Sequence, residues 1–126
     1  LFKDLVPSNI DNVVLYIEHV HSMPKQGVKS MFTFGQNLGQ WQGIIASHEI
    51  RPTYVSPRKW IDFYNIGKGL QRKDRKRKLR LTAEKIFPNV NMTYNISDAL
   101  LIANYCKIRY YEDFYGVEEQ TEWQVG

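Results

Sequence analysis

The sequence predicts an α/β domain. Three observations predict it. Short extended apolar stretches alternate with longer stretches of helical character along the chain. The length, 126 residues, suits one domain with a sizeable core. Hydrophobic residues at 43% and charged residues at 24% match an ordinary globular chain and exclude a disordered one.

The elements follow in order. Leu1 to Asn12 is mixed and broken at Pro7-Ser8-Asn9. Asn12 to Glu18 reads as a strand. Both of its alternating faces are apolar, so a central strand covered on both sides is expected, with Glu18 at its C-terminal end. A loop with Pro24 and Gly27 leads into a helix from Val28 to about His48, whose apolar content is Met31, Phe32, Leu38, Trp41, Ile44 and Ile45. In that helix Gly35, Gly39, Gly43 and Ser47 recur every four residues and form one smooth stripe. Each glycine costs about 1 kcal/mol against alanine in a helix, so the stripe predicts close approach by another backbone, inside the fold or at an interface.

Arg51 to Ser56 is a second short strand. Pro57 suits the first turn of a short helix, Arg58 to Tyr64. A glycine-bearing connection, Asn65 to Leu70, precedes a basic helix from Gln71 to Phe87, with Leu79, Ala83 and Ile86 on its buried face and Pro88 as its stop. After the loop Asn89 to Tyr94, the last helix spans Ile96 to about Tyr111, with Ala99, Leu100, Ile102, Ala103 and Cys106 as core. The expected domain is residues 1–110, and residues 111–126 form an acidic C-terminal tail.

Charge narrows the function classes. The net charge is +4, and seven of the 17 Lys and Arg residues fall within Arg72 to Arg80. A charge run is usually a solvated helix face. This one is denser than solubility requires, and it points to a polyanion, with nucleic acid first. No apolar run is long enough to span a bilayer, and no secretory signal opens the chain, so no membrane partner and a cytoplasmic setting are expected. The single cysteine, Cys106, excludes an internal disulfide and a cysteine-rich zinc site, and reads as a small buried hydrophobe.

Few residues are candidates for chemistry. Glu18, at the end of a buried strand, needs compensation for desolvation, which a metal ion would supply; a salt-bridged or edge glutamate is the plain alternative. Asp98 opens the last helix, where Asn95 as N-cap with Asp98 three residues on approximates a capping box. His19 and His21 form a His-x-His pair too sparse in further ligands for a zinc site.

Several stretches, in order and with matching spacing from about Val13 to Tyr105, resemble the RuvC-like Holliday junction resolvases of phages and bacteria. Tyr16 to Phe32, followed by Phe34-Gly35 and Leu38-Gly39, resembles the segment bearing the second carboxylate. Tyr54 to Trp60 resembles the next strand and its Pro-x-x-Trp turn. Lys73-Asp74-Arg75-Lys76 through Ile86-Phe87-Pro88 resembles the basic helix. Ser97 to Ala103 resembles the closing Asp-Ala-Leu motif.

The resemblance implies a ribonuclease H-like fold, a mixed sheet flanked by helices, incomplete at the N-terminus. It implies phosphodiester hydrolysis at branched or double-stranded DNA, with magnesium, or manganese in its place, held by carboxylates. Glu18 and Asp98 take catalytic, metal-binding positions, with Asn95 as an auxiliary metal ligand. Lys73, Arg75, Lys76, Arg77 and Lys78 take phosphate contacts. A homodimer in a bacterial or phage-infected cell is expected, because a four-way junction needs two symmetric cuts.

The sequence also departs from the family. The family's first strand carries an Asp, whereas the acids before Glu18 here are Asp4 and Asp11, neither in an apolar strand. The acid or histidine that the family places shortly before its last Asp is replaced by Tyr94 and Asn95. Three accounts fit. A separate N-terminal segment completes the site, a partner copy donates one, or the protein is a non-catalytic nucleic-acid-binding module on the same scaffold. The first residue, Leu1 rather than Met, favours the first account, that of a processed chain or a fragment.

Overall fold

The computed structural model describes residues 13–20 and 24–116. Asp4, Asp11, His21 and the acidic tail beyond Gly116 lie outside the described residues. The chain divides into two compact units, Leu1–Tyr54 and Val55–Gly126. The described residues form a helix-rich mixed α/β arrangement of four helices and a two-stranded parallel sheet.

In the first unit, strand β1 (Tyr16–Glu18) pairs with strand β2 (Thr53–Val55), whose last residue crosses the unit boundary. The Thr53 amide donates to the Leu15 carbonyl at 2.9 Å. Between the strands runs helix α1 (Val28–Ser47). The expected central strand is not observed: β1 has one partner among the described residues, and all three of its residues are half-buried. Apolar residues on both faces do not report how many neighbours a strand has.

Helix α1 turns a narrow stripe inward. Ile45 is buried, Met31 and Leu38 are half-buried, and the three sit seven residues apart. Phe32, Phe34, Trp41 and Ile44 are exposed. A Cβ placed on Gly35, Gly39 or Gly43 would meet nothing within 4 Å, so the backbone approach that the glycines predict is not made within the described structure.

The second unit holds helices α2 (Pro57–Phe63), α3 (Arg72–Ile86) and α4 (Tyr94–Tyr115). Ser56 caps α2, its hydroxyl accepting from the Lys59 amide at 3.4 Å, and Pro57 occupies the first turn, where its missing N–H leaves no gap in the ladder. Gly67 and Gly69, at φ +98° and +77°, carry the connection to α3 through backbone conformations that a side chain would strain. Helix α3 packs most extensively against α4, with Leu79 and Ala83 buried at the contact face of α3. Helix α4 runs on past the expected end at Tyr111 to Tyr115 and stops at Gly116, which is left-handed and donates its amide to the Glu112 carbonyl at 3.1 Å.

The core face of α4 differs from the expected one. Ser97, Leu101, Tyr105 and Ile108 are buried, whereas Ala99 and Ala103 are exposed and Leu100, Ile102 and Cys106 are half-buried. A serine enters the core because its hydroxyl donates to the Tyr94 carbonyl three residues back, at 2.8 Å, and carries its own hydrogen bond inward. Tyr105 meets Phe63 edge to face at 5.2 Å, and the Arg109 guanidinium lies 5.4 Å from the Phe63 ring and 5.3 Å from that of Tyr105.

Candidate nucleic-acid interface

Helix α3 builds its charged surface from its own periodicity. Leu79 and Ala83 fix the side that faces α4. Lys73 and Arg77 then share one exposed row, four residues apart, and Arg75 and Lys78 share another, three apart. All four are exposed, and none is held in an ion pair among the described residues. Lys76 sits at the edge of the buried face and is half-buried. The acid in this run, Asp74, lies in the first turn, where the helix dipole favours it. The sequence-predicted phosphate contacts thus fall on one helix, four of them pointing to solvent.

Two features here escaped the sequence reading. The first is Tyr94. It is 43% exposed at the start of α4, with the Lys76 ammonium 5.9 Å and the Arg80 guanidinium 5.7 Å from its ring centre. Arg80 is steadied by Glu84, one turn on, at 3.0 Å. Only the packing of α3 on α4 brings these residues together; the available signal was that Lys76 and Arg80 share a face with Leu79 and Ala83. The second is an open cleft of about 440 Å³ beside the start of α3, where Arg58, Lys68 and Arg75 oppose a single acid, Asp62. Arg58 and Asp62 approach to 3.7 Å, both well exposed, so that pair is weak.

The candidate carboxylates stand in different settings. Glu18 ends β1 in the first unit and is half-buried, so the desolvation argument for a metal there loses most of its force. Close by, His19 meets Tyr54 edge to face at 5.8 Å, and Gln42 donates to the Tyr54 hydroxyl at 2.9 Å.

Asp98 and Asn95 lie in the second unit on α4, three residues apart, Asp98 half-buried and Asn95 exposed. The capping explanation of this pair is overturned. Thr93 is the N-cap, its hydroxyl accepting from the Ile96 amide at 3.3 Å, and no acid falls in the first turn. Asp98 therefore falls two residues past Ile96, the position from which a side chain could complete a capping box with Thr93. Asn95 and Asp98 present two oxygen donors on one helix. Among the described residues, no group of three or more His, Cys, Asp and Glu side chains gathers to hold a metal.

Burial raises the pKa of the half-buried Cys106 thiol and so disfavours its thiolate form. No described helix is long and apolar enough to cross a membrane. Compared with models of known protein families, with curated proteins and with solved structures, the chain matches none.

Proposed function

We propose that this chain binds branched DNA through α3, as the DNA-gripping part of a RuvC-like, metal-dependent endonuclease with a ribonuclease H-like fold. One observation carries the reading: Lys73, Arg75, Arg77 and Lys78 stand exposed on one helix with no described acid pairing them. A cationic surface of this kind releases condensed counterions when it meets a phosphate backbone, which drives binding and makes it steeply salt-dependent. The cations of the neighbouring cleft would extend the contact. Glu18 and Asp98 are the carboxylates assigned to the metal, with Asn95 beside Asp98. Pairing of two copies belongs to the same reading, since a four-way junction is cut twice.

The test is a labelled four-way DNA junction incubated with the chain in magnesium and in manganese, alongside Glu18→Gln and Asp98→Asn. Symmetric nicking lost in both variants establishes the nuclease and both assignments. Salt-sensitive binding without nicking keeps the DNA-binding surface and replaces the nuclease with a non-catalytic binding module. No binding at moderate salt rejects the proposal.

A further inference from the structure

The aromatic ring set among the cations of α3 has a use that phosphate contacts alone do not give it. Tyr94 is the first residue of α4, and its ring is 43% exposed, whereas Tyr64 and Tyr105, which build the core of the same unit, are 4% and 7% exposed. Burial therefore does not account for Tyr94. Its neighbours are Lys76 and Arg80, one turn apart on α3, both within 6 Å of the ring centre. Arg80 is tethered by Glu84, whereas Lys76 has no acid partner among the described residues. A partly exposed aromatic ring with cations over it is the pairing that sequence-tolerant single-strand binders use: a base stacks on the ring, cation–π contacts steady it, and nearby charge takes the adjoining phosphates.

We propose that Tyr94 is a stacking platform for an unpaired DNA base, with Lys76 holding an adjoining phosphate and Arg80, itself held by Glu84, steadying the ring. The proposal rests on the DNA-binding reading above and adds a selectivity to it. The exposed rows of α3 meet the backbone of any DNA, because they read charge alone. Tyr94 rewards only a base whose face is free, and a base inside an intact duplex is already stacked on its neighbours. A junction, a flap or a single strand offers such a base, so the pair of surfaces would favour DNA that is open over DNA that is closed.

The test measures binding of a fluorescently labelled single strand and of a blunt duplex of equal length by the full chain, Tyr94→Ala, Tyr94→Phe and the control Lys73→Ala/Arg77→Ala. A 2-aminopurine in the single strand reports stacking directly. Tyr94→Ala is expected to weaken single-strand binding by roughly five- to a hundredfold and abolish the 2-aminopurine quench, with duplex binding changed less than about twofold. Tyr94→Phe keeps both, because the ring rather than the hydroxyl does the stacking. The control weakens both ligands together. Equal loss on both ligands from Tyr94→Ala, or loss on neither while the control still weakens binding, overturns the platform and leaves the basic surface standing. Failure of the unaltered chain to bind either ligand overturns both. Circular dichroism of each variant confirms that α4 still forms.

Discussion

The Tyr64 hydroxyl donates to the Leu101 carbonyl at 2.5 Å, joining the end of α2 to the middle of α4 across 37 residues of sequence. The same oxygen accepts from the Asn104 side-chain amide at 3.1 Å, so a buried phenol has both of its hydrogen-bonding capacities used. Tyr64→Phe keeps the ring and removes both bonds, leaving a partly buried Asn104 amide without this acceptor. The expected loss is about 1–3 kcal/mol in urea unfolding, with an unchanged dependence on denaturant concentration.

The same residue gives the second unit an alkaline limit. Burial raises the Tyr64 phenol above its ordinary value, an effect only partly opposed by the hydrogen bond from Asn104. The unfolded chain ionises this group near pH ~10, whereas the folded chain holds its proton to higher pH. The stabilisation is therefore fully present below about pH 10 and is lost as pH rises beyond it. Thermal melts of the unaltered chain and Tyr64→Phe between pH 8 and 11 check this: the difference between them should shrink above about pH 10.

The proposed grip of α3 on DNA predicts a salt signature for each phosphate contact. Lys73→Ala and Arg77→Ala should each lower the slope of log binding constant against log salt by about 0.9 on duplex DNA. Both residues are exposed and without a described ion pair, so the melting temperature should not move. Titrations at several salt concentrations give the slopes.

The buried face of α4 makes a sharp comparison. Leu101 is fully buried and its neighbour Ile102 only half so. Leu101→Ala is expected to destabilise by about 2–5 kcal/mol, and Ile102→Ala by clearly less. A larger loss from Ile102→Ala than from Leu101→Ala would place the core face where the sequence alone suggested it.

That comparison shows what was legible in the chain and what was not. Pro57, Pro88 and the glycines at 67 and 69 mark local backbone events, and the helices beside them fall within a residue or two of expectation. The core side of α4 was misjudged because its apolar residues, Leu100, Leu101, Ile102 and Ala103, run consecutively and fit several faces. The decision was made by Ser97 and Tyr105, whose polar atoms count against burial in a sequence; in the structure the Ser97 hydroxyl is bonded to the Tyr94 carbonyl and the Tyr105 ring packs edge to face on Phe63. Asp98 looked like part of a cap because Asn95 is a better capping residue in isolation than Thr93, yet the chain starts the helix one residue after Thr93. The basic helix was legible as charge. The tyrosine among its cations was not, since Tyr94 is 14 residues from Arg80 and meets it only through packing.

Helix α1 has a consequence of a different kind. Three glycines in register subtract roughly 3 kcal/mol of intrinsic helix preference relative to alanine, and the described structure covers only the Met31, Leu38 and Ile45 line. Its amides are expected to exchange with deuterium well ahead of those around Leu101 in α4, by a margin that hydrogen-exchange mass spectrometry resolves peptide by peptide. The helix would then open as a separate cooperative unit, melting locally while the α3–α4 pair stays closed. Slow exchange in α4 beside fast exchange in α1 would make one chain report two stabilities at once.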